Sequence, residues 1–450
     1  MRQQMEAVSF EAVVPSASGQ SLLAPEVSLA AGEDLARLMA PAERARRAAN
    51  VLQDLGFAVR HIGDFSISCE GSPDRFQAVF GTTVERRTQA LSSTQDGGEI
   101  SYFGAPDEAP FSLPTTLEGL VERAYPQPPP IFFASPLPPR VGYHHLRVPS
   151  DIALVLRATG VHKQGVSGRG VLVAMVDTGF YTHPYYVWHG YHYQATLAPD
   201  AVAVEHDENG HGTAEAANIF AVAPDIDFVG VKMGANATLA FKTASDLYPA
   251  VLTNSWGYDL SGATSVPAYL KPLEAAVVQA VQERGITVCF SGGNGHVSFP
   301  GMMPDVLSVG GVYADEFIEA EDFKLVASDY ASSFDSAIYP GRHVPDLCGL
   351  VGLKPRGIDI MLPVEPGDEI DAGLGGGSFP DADETATGDG WAVISGTSAA
   401  SPQLAGVCAL LKQVQPGLAP ALVKAVLRAS ARDVKEGESA QGQPAGEGHA

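Results

Sequence analysis

The chain has 450 residues, of which 18% are charged and 45% hydrophobic, with 48 glycines and 33 prolines. This hydrophobic fraction excludes a disordered protein, the aperiodic glycines exclude collagen, and the length suits two or three domains. The formal net charge of −24 argues against a nucleic acid or an anionic membrane as partner, because both would repel the chain.

The sequence gives no signal for membrane insertion or export. The N-terminal residues contain no apolar run of signal-peptide length, and no run of about 18 apolar residues occurs further on. The four cysteines are far apart and lack CxxC spacing, which predicts free buried thiols in a reducing compartment. We therefore expect no membrane span and a cytoplasmic location, with secretion by a non-classical route left open.

The first hundred or so residues alternate strand and helix signals. Residues 8–14 predict a strand, residues 41–55 carry a helical apolar stripe, and residues 65–69 alternate as in a half-buried strand. Ser72-Pro73-Asp74 supplies an N-cap, a proline and an acid at the start of another helix. This βαββαβ-like order predicts a small α+β, ferredoxin-like domain over residues 1–125.

A proline-rich stretch separates this domain from the rest of the chain. Between Pro126 and Pro139, 7 of 14 residues are proline, a content that no helix or central strand tolerates. We predict an extended linker over residues 126–144. A second domain, residues 145–433, should follow it, and the polar residues 434–450 should form a disordered tail.

Short, continuous apolar runs are typical of this second domain. They occupy residues 171–176, 226–231, 251–254 and 286–290 and alternate with helical segments. Runs of this length indicate parallel strands that are buried on both faces. The sequence therefore predicts an α/β domain with a doubly wound, mostly parallel sheet.

Three short motifs stand at the ends of predicted elements: Val176-Asp177-Thr178-Gly179, Asn209-Gly210-His211-Gly212-Thr213, and Gly396-Thr397-Ser398-Ala399-Ala400-Ser401-Pro402. A serine at a helix N-terminus has backbone N–H donors around it that favour an oxyanion. A histidine can take the serine proton, and a buried carboxylate can orient that histidine. Open α/β sheets gather such residues at the carboxyl ends of their strands.

These motifs, in the order Asp, His, Ser, resemble those of the subtilisin-like serine peptidases, the subtilases. The resemblance covers most of residues 160–430. It extends to five further segments: Gly168-Arg169-Gly170-Val171, His183-Pro184, Val222-Ala223-Pro224, Asn254-Ser255-Trp256-Gly257 and Ser291-Gly292-Gly293-Asn294. It implies a subtilisin-like fold and a serine endopeptidase that hydrolyses peptide bonds through an acyl-enzyme.

The resemblance also implies a role for each matching residue. Four would carry the chemistry: Ser398 as nucleophile, His211 as general base, Asp177 as its orienting carboxylate and Asn294 as oxyanion-hole donor. Two segments would bind substrate: Ser255, Trp256 and Gly257 by pairing with an extended backbone, and Ser291, Gly292 and Gly293 as a wall of the specificity pocket. The indole of Trp256 would either narrow the substrate groove or simply pack.

The N-terminal stretch from residue 65 to residue 82 resembles the propeptides of the related sedolisin peptidases. This implies a zymogen whose own N-terminal domain is an inhibitory partner of the peptidase domain. Two other functions stay open: a catalytically silent, peptide-binding pseudoprotease, and a sedolisin-like acid peptidase. For the leading interpretation, an active serine endopeptidase, protein or peptide substrates are the expected partners.

Three departures from the family pattern stand out. Glu215 lies four residues after His211, the spacing at which sedolisins use a Glu and an Asp, so it is either catalytic or a polar neighbour. Residues 361–390 hold eight acids and no base, which suggests a cation site or a flexible, solvated loop.

The third departure is that the loop which often supplies calcium ligands in the family is missing before Val222. The chemistry needs no cofactor, a structural calcium ion stays open, and no metal ligands are assigned.

Overall fold

The protein is described here by a computed structural model that covers residues 2–4, 7–24, 35–90, 99–106, 109–128, 137–315, 318, 323–354 and 359–442. The chain divides into two compact units, Met1–Phe132 and Phe133–Ala450. No helix within the described ranges is both long enough and apolar enough to cross a membrane.

The first unit contains the βαββαβ order that the sequence predicts, together with three additional strands. Its strands are β1 Arg2–Gln4, β2 Val8–Val13, β3 Ala58–Ile62, β4 Ser66–Gly71, β5 Glu85–Ala90, β6 Glu99–Gly104 and β7 Arg123–Pro126, of which β1, β5 and β6 are the additional ones. Its α-helices are α1 Ala42–Asp54 and α2 Pro73–Phe80. As predicted, the hydroxyl of Ser72 caps α2 by accepting from Arg75 N, and Gly81 ends the helix at φ 67°.

The main sheet of this unit has the order β3-β4-β2-β7, with every neighbouring pair antiparallel. This is the ferredoxin-like arrangement of a split βαβ motif, with β5 and β6 forming a separate sheet beside β1. Phe10 of β2 lies at the centre of the core, with ring centroids of Phe57 and Phe76 at 4.9 and 5.0 Å. The unit therefore has an apolar core of its own.

The boundaries of the predicted linker differ from the structure at both ends. Strand β7 ends at Pro126, which pairs with Phe10, so the first unit runs past residue 125. A proline fits there because β7 is an edge strand. At the other end, Gly142 N donates to Glu384 and the Tyr143 ring stacks on Phe379 at 4.3 Å, so these residues belong to the second unit. Residues 129–136 lie outside the described ranges.

The second unit alternates strands and helices. Its α-helices are α3 Ser150–Val155, α4 Ala158–His162, α5 Pro184–His189, α6 His211–Val222, α7 Ala237–Ser245, α8 Lys271–Gln282, α9 Glu369–Leu374, α10 Thr397–Val414 and α11 Pro420–Ser430. Its strands are β8 Leu146–Arg147, β9 Leu172–Asp177, β10 His192–Leu197, β11 Asp227–Lys232, β12 Val251–Asn254, β13 Tyr258–Asp259, β14 Thr287–Ser291, β15 Ser298–Phe299, β16 Leu307–Ala314, β17 Leu325–Ala327, β18 Phe334–Asp335, β19 His343–Val344, β20 Leu347–Leu350, β21 Ile360–Pro363, β22 Trp391–Ile394 and β23 Glu436–Gly437.

The large sheet has the order β10-β11-β9-β12-β14-β16-β17-β23, with β20 also beside β16. The pairs from β10 through to β16 are parallel, and β17 is antiparallel to β16. This confirms the predicted doubly wound, mostly parallel α/β fold. The four strands expected from apolar runs are β9, β11, β12 and β14, shifted by at most one residue at each end.

Helices cover both faces of this sheet, which explains why its central strands are apolar throughout. Along β9, Val173 and Met175 pack into the core that includes α6 and α10, whereas Ala174 and Val176 pack on α7 and α8. Helix α10 approaches α6 closely at Gly406, where a Cβ atom would lie 2.7 Å from Val222 Cβ. The helix that carries Ser398 is thereby packed tightly on the helix that carries His211.

The prediction of a disordered tail is wrong for residues 434–442. Strand β23 pairs in parallel with β17, and Val434 is buried. Ala440 N donates to Ala331 O, and Gln441 accepts from Ser333 N. Backbone pairing on the edge of the sheet orders this polar segment, which its composition alone does not indicate. Residues 443–450 lie outside the described ranges.

Candidate active site

Asp177 is the last residue of β9, and it is 1% exposed. Strand β9 lies between β11 and β12: after β9 the chain forms β11 and β10 on one side, and it then crosses to form β12 on the other side. Ligand sites of doubly wound sheets lie at the carboxyl ends of the strands where the strand order reverses. Asp177 therefore lies where this fold places its site.

His211 is the first residue of α6, and its Nδ1 atom lies 2.8 Å from Asp177 Oδ1. The same oxygen accepts a hydrogen bond of 2.8 Å from Thr178 N. Because a carboxylate only accepts, Nδ1 must carry the proton of this contact and the other ring nitrogen, Nε2, is left as the basic atom. A Cβ at Gly212 would lie 2.2 Å from Gly179 O, so only glycine lets the start of α6 approach β9 this closely.

Asp207 fixes the same helix start from the other side, a role that the motif search missed. Its carboxylate accepts from Thr213 N at 2.8 Å and Thr213 Oγ1 at 2.7 Å, and from Thr178 Oγ1 at 2.8 Å. It therefore links the strand end after Asp177 to the first turn of α6. The acid four residues before His211 is the sequence signal that could have predicted this, because Asp favours helix starts.

The electrostatic surroundings of His211 are strongly negative. Burial of the ring lowers its pKa, but the carboxylates of Asp177, Glu215 and Asp207 outweigh burial, and the net effect is a raised pKa. Glu215 is 1% exposed, one turn further along α6. The site thus favours the imidazolium form of His211, which is the form created when this ring takes a proton.

Ser398 is the second residue of α10, so its backbone N–H is one of the free donors of the helix N-terminus. Its hydroxyl donates to Ser255 O at 3.2 Å, and the hydroxyl of Ser255 donates back to Ser398 O at 2.8 Å. The indole of Trp256 donates to Val176 O at 3.0 Å. These bonds join the serine, through the end of β12, to the residue next to Asp177.

The side-chain amide of Asn294 lies beside the same helix start. Its Oδ1 atom accepts from Thr397 N at 2.9 Å and from Thr397 Oγ1 at 3.0 Å. Two donors on one side of the amide fix its orientation, so the Nδ2 donor is turned toward Gly396, where a Cβ would lie 3.1 Å from it. Thr397 was not identified from the sequence, although it stands directly before Ser398.

The two predicted substrate-binding segments lie on neighbouring strand ends. Residues 255–257 follow β12, and residues 291–293 run from the end of β14. Between them, β13 pairs antiparallel with β15, so the two segments are braced against each other. The Trp256 ring packs edge-on against Phe290, with centroids 5.3 Å apart. Together with its bond to Val176, this supports packing as the role of this indole.

The remaining predicted residues of these segments have backbone roles. Gly292 N donates to Val309 O at 2.7 Å, and Gly293 N donates to Thr397 Oγ1 at 3.2 Å. Gly293 has φ 108°, and a Cβ at Gly257 would lie 2.9 Å from Phe299 O. Ser291 is buried at the end of β14. Glycine is required at residue 257 because the backbones approach closely there, and at residue 293 because the backbone adopts a left-handed conformation.

Lys232, at the end of β11, holds the loop that leads to His211. It is 5% exposed, and its Nζ atom donates to Ala203 O at 3.1 Å, His206 O at 2.9 Å and Glu208 Oε2 at 2.6 Å. Three oxygen acceptors surround a single ammonium group. This cluster orders residues 203–208 and was not predicted, because a lone lysine after an apolar strand carries no motif.

The acidic segment 361–390 is folded, so its interpretation as a flexible, solvated loop is wrong. Asp371 and Asp383 are fully buried, and Asp383 accepts from Thr385 N and Val393 N at 3.0 and 2.9 Å. Backbone donors thus satisfy these carboxylates. Among the described residues no group of three or more His, Cys, Asp or Glu side chains could hold a metal ion.

This segment also contacts the loop before His211. Glu365 accepts from His206 Nδ1 at 2.7 Å, and Asn209 Nδ2 donates to Glu369 at 2.7 Å. Asp368 is 6% exposed, and its Oδ2 atom lies against Gly210, where a Cβ would be 1.9 Å away. Burial, with the charges of Asp207 and Asp371, raises the pKa of Asp368 to about 8.

The chain is similar to known proteins in sequence and in fold. The model of the Subtilase family matches residues 168–448. Subtilisin BL of Lederbergia lenta is 27% identical over 280 residues, which are 60% of this chain and 86% of that protein. Serine protease AprX of Bacillus subtilis (strain 168) is 27% identical over 307 residues, which are 59% of this chain and 62% of AprX. The solved structure of a cold adapted subtilisin-like serine proteinase is 21% identical, covers 62% of this chain and 88% of its own, and gives a TM-score of 0.40.

The family match covers more than half of the chain and includes all of the site described above. The chain therefore belongs to the subtilase family. It is a subtilisin-like serine endopeptidase, a hydrolase whose substrates are proteins.

Proposed function

We propose that Asp177, His211 and Ser398 form the catalytic triad of this peptidase and that Asn294 completes its oxyanion hole. The observation that carries the proposal is the 2.8 Å contact between His211 Nδ1 and Asp177 Oδ1, made at the strand end beside the Ser398 helix. The contact leaves His211 Nε2 as the base. The helix N-terminus and the anchored Asn294 amide supply donors for a developing negative charge.

The reaction begins with a rotation of the Ser398 hydroxyl from Ser255 O toward His211 Nε2. As Oγ bonds to the substrate carbonyl carbon, its proton passes to Nε2, and the Asp177 carboxylate stabilises the imidazolium. The carbonyl oxygen becomes an oxyanion that accepts from Asn294 Nδ2 and Ser398 N. Collapse of this intermediate transfers the proton from Nε2 to the leaving amine and leaves an acyl-enzyme, which water then cleaves by the same steps.

Substrate binds as an extended strand along residues 255–257. The side chain of the substrate residue on the N-terminal side of the scissile bond then lies against residues 291–293. The bracing of these segments through β13 and β15 supports this placement. Backbone pairing gives affinity without a sequence requirement, and pockets for alternate side chains give selectivity. Exposed, flexible segments of proteins are therefore the expected substrates.

We also propose that the protein is made as a zymogen, with the first unit as its inhibitory propeptide. The support comes from that unit's own ferredoxin-like sheet and apolar core, and from the proline-rich stretch that follows it. A tethered module reaches roughly millimolar effective concentration at its target, so even a weak inhibitor blocks the groove. Cleavage of the tether then lets substrate compete.

Peptide hydrolysis by purified variants tests the triad. Ser398→Ala and His211→Ala should each abolish turnover to nearly the same extent, because residues that act as a unit are not additive. Asn294→Ala should keep its fold and lose roughly 100- to 1,000-fold in kcat. Turnover at the wild-type level in Ser398→Ala would refute the assignment, and a pH optimum below about 5 would favour an acid peptidase, because a histidine base must be neutral.

Expression of the full chain tests the zymogen. Ser398→Ala should remain one chain of 47.1 kDa, while the wild type shortens or stays latent. The separately expressed first unit should inhibit the shortened enzyme when added in trans. An uncut wild type that is as active as the isolated second unit, together with a fragment that does not inhibit, would exclude a propeptide.

A further inference from the structure

Glu215 is a buried carboxylic acid that the mechanism above does not use. It is 1% exposed, and it lies among fully buried alanines of α6. Its Oε2 atom accepts from Asn218 Nδ2 at 2.9 Å. A buried charge without compensation is costly, so a carboxylate at this position requires an explanation.

The second carboxylate oxygen faces the catalytic histidine. Glu215 Oε1 lies 3.9 Å from His211 Nε2, on the edge of the ring opposite the Asp177 contact. This distance exceeds the hydrogen-bond range of about 2.7–3.2 Å, so Glu215 does not occupy Nε2 and leaves it for the serine proton. At the same distance, however, the carboxylate charge acts strongly on the ring.

A polar network holds this carboxylate in place. Asn218, which is fully buried, accepts from Gln403 Nε2 at 3.0 Å. Gln403 in turn accepts from Leu350 N at 2.7 Å and donates to Leu350 O at 3.1 Å. Glu215 is therefore held from α10, the helix of Ser398, and from β20, rather than by its own helix alone.

We propose that Glu215 is a second carboxylate of the catalytic centre, which stabilises the imidazolium of His211 as Ser398 transfers its proton to Nε2. The inference rests on the triad assignment above. No bond to Glu215 forms or breaks in this step. The proton moves from Ser398 Oγ to His211 Nε2, and Glu215 contributes its charge through the ring. It is a positioning residue in the sense that it acts only through His211.

The carboxylates around His211 all act on its pKa in one direction. Asp177, Glu215 and Asp207 face His211, and each raises its pKa, against the effect of burial. Burial, with a smaller contribution from the charge of Asp177, raises the pKa of Glu215 to about 8, although the charge of His211 and the hydrogen bond from Asn218 act to lower it. Glu215 is thus most readily ionised when His211 is charged, and the two groups titrate as a coupled pair.

The consequence is a working range shifted to alkaline pH. An ionised Glu215 keeps His211 protonated to higher pH, and the protonated ring cannot accept the serine proton. Removing the charge of Glu215 should lower the pH at the midpoint of the acid limb of kcat/KM. The reason is that an opposite charge within about 4–6 Å shifts a pKa by roughly 1–3 units. The same removal should also lower kcat on the alkaline plateau, where imidazolium formation limits acylation.

The experiment compares pH profiles of the wild type and Glu215→Gln, both purified from full-length expression and normalised by titration with a fluorophosphonate. The midpoint of the acid limb should fall by about one pH unit or more in Glu215→Gln. Glu215→Asp keeps a carboxylate, so its midpoint should lie between those of the wild type and Glu215→Gln. Glu436→Gln, which removes one exposed charge on the edge strand β23, should leave the profile unchanged.

A second measurement does not depend on turnover. In full-length Ser398→Ala, NMR titration of the His211 ring should show two coupled steps, and Glu215→Gln in that background should leave one step at lower pH. A folded Glu215→Gln protein with an unchanged acid limb, or a single step in the Ser398→Ala protein with Glu215 intact, would overturn the role of Glu215. Either result would leave the triad standing, whereas turnover by Ser398→Ala would overturn the triad itself.

Discussion

Thr397 donates two hydrogen bonds to one atom of Asn294, from its backbone N–H at 2.9 Å and from its hydroxyl at 3.0 Å. Both donors engage Oδ1, so the amide cannot turn over without losing both bonds. The Nδ2 donor is consequently directed away from Thr397. Thr397, the residue adjacent to Ser398, thus determines whether the proposed oxyanion hole holds a donor or an acceptor.

Thr397→Val should therefore lower kcat by about five- to tenfold, since a typical hydrogen bond contributes about 1 kcal/mol. KM should change little, because the amide acts on the oxyanion and not on bound substrate. Thr397→Ser keeps the hydroxyl and should retain nearly all activity. Equal losses in the valine and serine variants, measured by steady-state peptide hydrolysis, would contradict this role.

Lys232→Met should destabilise the loop before His211. The substitution removes the donor from two backbone carbonyls and from Glu208, and each buried acceptor left without a partner costs about 1–3 kcal/mol. Lys271→Met is the matched control, because that exposed pair with Glu274 should contribute at most about 1 kcal/mol. Thermal unfolding in the Ser398→Ala background measures both, and equal melting temperatures for the two variants would exclude a special role for Lys232.

Asp368 should make stability depend on pH. Its pKa is raised to about 8 in the folded protein, against about 3.9 in the unfolded chain, so the folded state keeps a proton that the unfolded state releases. The stabilisation of the folded state by this bound proton is complete below pH 4 and is lost as the pH rises toward 8. Asp368→Asn keeps the acceptor that caps α9 and cannot ionise. Relative to the wild type it should gain stability between about pH 4 and 8 and show a constant difference above that range.

Denaturant unfolding at pH 5, 7 and 9, again with Ser398→Ala, measures this difference. Glu369→Gln, a change of the exposed neighbouring acid, provides the control and should follow the wild type at each pH. A stability difference for Asp368→Asn that does not change with pH would show that Asp368 is ionised in the folded protein throughout.

The first unit should need strand β7 to inhibit. Residues 123–126 pair with β2, the strand that carries Phe10 at the centre of that unit's core. A fragment of residues 1–132 should therefore fold and inhibit in trans, whereas residues 1–122 should lose structure by circular dichroism and fail to inhibit. If the shorter fragment inhibits as well as the longer one, the boundary of the inhibitory domain lies before β7.

Much of the site could be predicted because its residues stand in contiguous motifs at element ends. Asp177 ends an apolar strand, and His211 and Ser398 lie in the first turns of helices, so local sequence suffices to place each of them at the end of an element. The βαββαβ order of the first unit was equally visible in turn residues and apolar periodicity.

What could not be predicted depends on contacts between distant segments. Lys232 acquires its role from carbonyls of residues 203 and 206. Four of the acids of residues 361–390 are buried where backbone N–H groups donate to them, namely Asp368, Asp371, Asp383 and Asp389. Residues 434–442 are ordered by pairing with β17, although their composition is polar. Such partners are set by tertiary packing, which overrides composition and local propensity.

Covalent labelling by a fluorophosphonate tests the central claim most directly, because it reports the activated nucleophile without assuming a substrate. Intact-mass and peptide mapping of the folded, processed wild type should find one adduct, on Ser398. Ser398→Ala should give none, and His211→Ala should react at least 1,000-fold more slowly, roughly the loss expected when a triad member is removed. An adduct on another residue, no adduct on the folded enzyme, or a rate unaffected by His211→Ala would contradict the account.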